Sequence, residues 1–93
     1  HAYMNLAVVL VRRKQPLEAL PLLEQAVARF ERIAAHHFAD QARVHRLEAL
    51  LDANDQLGAQ AALADLIDTP ERRASLAPLM GEIEGLAARL ATG

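Results

Sequence analysis

The chain has 93 residues, 53% hydrophobic and 24% charged, with a formal net charge of −2 and no cysteine. That is room for one domain and a modest core, without disulfides or thiolate metal sites, and without a basic field to attract nucleic acid or an anionic membrane surface. Ala and Leu dominate, aromatics make up 3%, and there are one Ser and two Thr, a mix that favours helices and deprives strands of the residues they prefer.

The chain opens on His1 rather than Met, which suggests a piece of a longer protein. No segment resembles a signal peptide and no apolar run is long enough to span a bilayer. With the missing cysteines, this fits a reducing, cytoplasmic setting. The first run, Leu6 to Val11 (LAVVLV), taken alone fits a buried strand as well as a helix. Tyr3, Leu6, Ala7 and Leu10 fall at helical spacing, and no turn residue precedes the run, so it reads as helix. Arg12, Arg13 and Lys14 suit the last turn of that helix, and Pro16 pushes Gln15 out of the α region.

Pro16 suits the first turn of a second helix with an apolar face of Leu17, Leu20, Leu23, Ala26, Val27, Phe30, Ile33 and Ala34, reaching about His36 or His37. Asp40 is placed to cap a third helix that turns Val44, Leu47, Leu50 and Leu51 inward. The stretch DANDQLG makes a turn, and a fourth helix follows with Ala59, Ala62, Leu63, Leu66 and Ile67 on one side. Asp68 or Thr69 then caps a short helical turn near residues 70 to 74, with Pro70 in its first turn. Pro78 prevents that turn from continuing. Ser75 is read as a fresh cap for a last helix carrying Leu76, Leu79, Met80, Ile83, Leu86 and Leu90.

Two helix pairs about 40 residues apart have the grammar of a helical solenoid. Ala7, Leu10, Ala19, Leu22, Ala26 and Val27 align in character with Leu47, Leu50, Ala59, Ala62, Leu66 and Ile67. In the first unit Tyr3 stands at an aromatic position, followed by Asn5-Leu6-Ala7, Leu10, Glu18-Ala19 and Ala26. In that register, without a gap, the unit resembles a tetratricopeptide repeat. The stretch EALPLLEQAV with its long second helix is most similar to the kinesin-light-chain variety, which often carries the proline found here as Pro21. Lys14 departs from the family's usual turn glycine, and the second unit has Arg46 or Glu48 at a normally small site, depending on a one-residue choice of register.

The resemblance implies an all-α fold of antiparallel helix pairs stacked as a short right-handed solenoid: repeat one over 1–38, repeat two over 39–67 and a capping segment over 68–93. It also implies a protein-binding scaffold, with a mixed apolar and charged concave groove formed by Met4, Asn5, Val8 and Arg12 from the first unit and Gln41, Val44, Glu48 and, on one register, Asp52 from the second. Family members that clamp a C-terminal carboxylate place Lys and Asn where Met4 and Val8 stand, so that mode is not expected. The partner is then a protein or peptide segment with one or two hydrophobic anchors, and the alternative is a structural, self-associating module without a ligand of its own.

Other constellations are thinner. His36, His37 and His45 with Asp40 invite a metal reading, but the stretch reads more simply as a polar helix end and turn, so no metal or other cofactor is expected. Arg12, Arg13 and Lys14 read as a solvated helix end rather than a phosphate site. No nucleophile with a base beside it and no Gly-rich phosphate loop is visible, so no enzyme activity is expected. Glu82 and Glu84 point to different faces, whereas Gly81 and Gly85 share one and so are expected near another helix. Finally, with Leu6, Ala7 and Leu10 packed on the second helix, Val8, Val9 and Val11 are left without a partner, so a homodimer through the first helix is expected.

Overall fold

The opening apolar run is helical, as its spacing predicts: it lies within α1 (Ala2–Arg12). The computed structural model describes residues 2–68 and 70–92, and the side chains of residues 2–4, 70 and 72 lie outside that set. The described residues form α1, α2 (Pro16–Arg32), α3 (His36–Asp52), α4 (Gln56–Leu66), α5 (Pro70–Ser75), a 3-10 turn (Ala77–Leu79) and α6 (Met80–Thr92), with no strand among them. No helix of the described residues is long and apolar enough to cross a membrane.

One kind of turn joins the first four helices. Lys14, Ala34 and Asn54 each have φ near 60°, the left-handed conformation that ends a helix by reversing the chain. The bonding is the same each time. Lys14 N–H donates to the Val11 carbonyl (3.0 Å) and Gln15 N–H to that of Leu10 (2.8 Å). The corresponding pairs are Ala34 to Glu31 (3.1 Å) with Ala35 to Phe30 (2.7 Å), and Asn54 to Leu51 (3.0 Å) with Asp55 to Leu50 (2.9 Å). Pro16 starts α2, and the Asp55 carboxylate caps α4 by accepting from Gly58 N–H at 2.9 Å.

Two boundaries differ from the sequence-based expectation. α2 stops at Arg32, about one turn early, because Ala34 takes the left-handed turn that Gly or Asn would have advertised. His36 and His37 therefore open α3, and Asp40 is not its cap: it sits in the second turn, 4% exposed, bound to Arg43. At the other end, Ser75 closes α5 rather than capping the last helix, and Pro78 falls in the 3-10 turn that leads into α6. The place given to Thr69 as a cap lies outside the described residues.

α3 is the hub, with α1, α2, α4 and α6 all packed against it. α2 also touches α1, and α4 also touches α6, which accounts for a slab of 34 × 31 × 19 Å. Small residues line the seams: Ala7, Ala19 and Ala49 are fully buried with Val11 and Leu23, and Ala26, Ala39 and Ala42 pack around Phe30. The third cluster joins Val44 and Leu47 to Ala59, Ala62, Leu66, Leu76, Leu79, Ile83 and Leu86. The last segment thus covers α3 and α4 with Leu79 and Ile83, helped by Met80 and Leu90, as expected of it. The aligned positions of the two halves share their burial at Ala7 and Leu47, Ala19 and Ala59, and Ala26 and Leu66, while Leu22 is half-buried where Ala62 is buried.

Some apolar positions are not where periodicity put them. Leu17 (73% exposed) and Ile33 (65%) lie at the two ends of α2, beyond the reach of its neighbours. On α1 the inward residues are Ala7 and Val11, with Val8 and Leu10 half-buried, whereas Leu6 is 52% exposed. The expectation that Val8, Val9 and Val11 all lack a partner is therefore corrected. Val11 is core and Val8 packs toward Phe30, so of the three only Val9 remains exposed. A Cβ on Gly81 or Gly85 would meet nothing within 4 Å among the described residues, so neither glycine serves close helix packing, and Gly85 instead lines an open cleft against α3.

Candidate functional site

The site is built on α3, the helix against which α1, α2, α4 and α6 all pack. Its residues Val44 and Glu48 face Glu82, Gly85, Leu86 and Arg89 of α6 across an open cleft. The spacing of each set is helical: Val44 and Glu48 are one turn apart, and Glu82, Gly85, Leu86 and Arg89 follow one stripe of α6. Val44 (2% exposed) and Leu86 (9%) form an apolar floor continuous with the core. Glu48 and Glu82 stand at the rim, the first half-buried and the second exposed.

A buried carboxylate sets the end of this cleft. The Arg89 guanidinium donates to Asp52 Oδ1 at 2.7 Å, and Lys14 Nζ lies 3.7 Å from the same oxygen. The Asp52 side chain is 5% exposed, and its second oxygen has no hydrogen-bond partner among the described residues. Taking a carboxylate out of water is costly unless it is paired, so Asp52 ties the first turn, α3 and α6 to one point. Arg89, its side chain 46% exposed, is held at the cleft wall by this bond. With that cation engaged by Asp52, Glu48 and Glu82 leave the rim acidic.

Of the residues expected to line a concave groove with α1, Val44 and Glu48 lie instead at the cleft between α3 and α6, Val44 as its floor. Gln41 is half-buried on the same side of α3, where its side-chain N–H donates to His37 Nε2 at 3.2 Å. Asn5 and Arg12 are exposed on α1, and Val8 is largely taken up by packing on Phe30, Ala39 and Ala42. The Met4 side chain lies outside the described residues. Asp52 is a buried anchor outside the α3–α6 cleft and lines a separate depression with Lys14, Gln15 and Leu17. Sequence reading missed Glu82, Gly85, Leu86 and Arg89 as a wall. Their shared stripe was visible in the spacing, but nothing in the sequence says which helix that stripe opposes.

The histidines do not converge. His45 Nδ1 lies 3.8 Å from Glu48 Oε1, His37 is engaged with Gln41, and Asp40 accepts from Arg43 at 3.0 Å. Arg43 also forms an ion pair with Glu31, linking α2 to α3. Among the described residues no three His, Cys, Asp or Glu side chains are grouped to hold a metal. Comparison with family models, with curated proteins and with solved structures returns no match.

Proposed function

We propose that this chain is a tetratricopeptide-like repeat module without catalytic activity, a scaffold that binds a protein segment across α3 and α6. The observation that carries it is the α3–α6 cleft, with its apolar floor at Val44 and Leu86 and its carboxylate rim of Glu48 and Glu82. Such a floor and rim suit a helix or extended segment that offers one apolar anchor flanked by cations. Arg12 and Asn5 on α1 and Gln41 on α3 extend the same contact surface in this reading. The shared burial of aligned positions and the recurrence of one turn at Lys14, Ala34 and Asn54 support the repeat assignment.

Two synthetic amphipathic peptides with the same leucines, one bearing lysines and the other glutamates, test the reading by fluorescence anisotropy. The lysine peptide is expected to bind, and Glu48→Lys with Glu82→Lys to weaken it at least tenfold. Failure of the lysine peptide to bind, or equal binding of both peptides, contradicts the cleft. A second reading, a module that assembles only with itself, is favoured by the exposure of Leu6 and Val9 on α1.

A further inference from the structure

α1 carries an apolar stripe that nothing in the described chain covers. Opposite the buried Ala7 and Val11, it presents Leu6 (52% exposed), Val9 (44%) and the exposed Arg13, at the i, i+3, i+7 spacing of one helix face. The helix contains no acidic residue, and Arg12 and Arg13 at its end are both exposed. Val9 aligns with Ala49 in the second half, and Ala49 is fully buried against Ala7, Val11, Ala19 and Leu23. The equivalent side of α3 is thus a packed face.

The α3–α6 cleft is complementary to that stripe in both charge and shape. Its floor is apolar, Glu48 and Glu82 stand at its rim, and the one cation lining it, Arg89, is held by Asp52. The open space over Gly85 leaves room for a large apolar side chain beside Leu86. We propose that the outer face of α1 in one copy docks into the α3–α6 cleft of a second copy, with Leu6 and Val9 on Leu86 and Gly85 and with Arg13 paired to Glu48 or Glu82. This rests on the cleft being a docking site and adds the identity of its occupant. Two α1 faces meeting each other are disfavoured, because each copy's Arg12 and Arg13 then meet a helix that has no carboxylate.

The contact is heterologous, so it does not close on a dimer. One helix in one cleft is at the small end of specific interfaces, below about 1,200 Å², and its charged part is screened by salt. Association is therefore weak and favoured by low ionic strength.

Equilibrium sedimentation of the 93-residue chain over micromolar to millimolar concentration tests the proposal. The average mass is expected to pass that of a dimer as concentration rises, and to fall in high salt. Val9→Lys, and separately Glu48→Lys with Glu82→Lys, each return the chain to monomer. Mixing these two variants restores a 1:1 complex and no larger species, because one retains an intact cleft and the other an intact α1. Leu6→Lys replaces Val9→Lys if the latter melts below the parent. A strict monomer at the highest concentration, a dimer plateau indifferent to the cleft substitutions, or no complex on mixing overturns the proposal. The lysine peptide separates the two levels: if it binds while the copies stay apart, self-docking falls and the cleft stands, and if neither associates, both fall.

Discussion

Lys14 and Ala34 hold left-handed backbone without the freedom of glycine, and Asn54 does so with the tolerance that asparagine has for it. Ala34 is exposed and its side chain does little there, so Ala34→Gly is expected to stabilise the fold by about 1 kcal/mol, read as a rise in the urea midpoint at constant slope. The reverse holds in α6. Gly81 is exposed in the first turn of α6 with nothing near its Cβ position, so Gly81→Ala is expected to add up to about 0.5 kcal/mol by the same measurement. Asp52 separates its two cations. Arg89→Ala removes the 2.7 Å donor to a carboxylate that is 5% exposed and should cost about 1–3 kcal/mol. Lys14→Ala, at 3.7 Å and 76% exposed, should cost less than about 0.5 kcal/mol. Thermal melts of the two variants that show equal losses contradict the assignment of Asp52 to Arg89.

Element by element, the sequence shows its helices where the signals are chemical and loses them where they are purely conformational. Pro16, Asp55 with Gly58, and Pro70 begin helices where proline and a capping carboxylate should. The break between α2 and α3 carries no such mark, since Ile33, Ala34 and Ala35 are all compatible with helix and only tertiary packing selects the turn. In α3 the buried residues, Ala39, Asp40, Ala42, Val44, Leu47 and Ala49, do not fall on one stripe, for a related reason. A helix touched by four others is buried on several sides, and an apolar stripe then stops being its signature. α6 is the element whose removal is most informative. Through Ile83 and Leu86, with Leu79 of the preceding 3-10 turn, it covers Val44, Leu47 and Leu66, so deleting residues 76–93 should abolish cooperative melting or cause aggregation. Within the intact chain, Ile83→Ala, at 2% exposure, should cost about 2–4 kcal/mol. A truncated chain as soluble and as cooperative as the parent contradicts the capping role.

At the scale of the molecule, periodicity is enough to recover the all-helical architecture, because that depends on which residues are apolar and how they are spaced. The site depends on which helix faces which, and there the sequence was only partly informative. Val44 and Glu48 were identifiable on α3, but their opposite wall on α6 and the Lys14–Asp52–Arg89 tie bring together residues far apart in the chain. Val8 and Val11 were misplaced for the same reason: a run apolar on every side does not declare its inner face, and α3 supplies the partner. The proposed binding function stands on the α3–α6 cleft. Its most direct test is a two-dimensional amide NMR titration of the isotope-labelled chain with the lysine and glutamate peptides. The predicted result is a set of shifts centred on the amides around Val44, Glu48, Glu82, Gly85 and Leu86, reaching no further than Gln41, Asn5 and Arg12, with the lysine peptide and absent with the glutamate peptide. Shifts scattered over α2 and α4, or none with either peptide, contradict it.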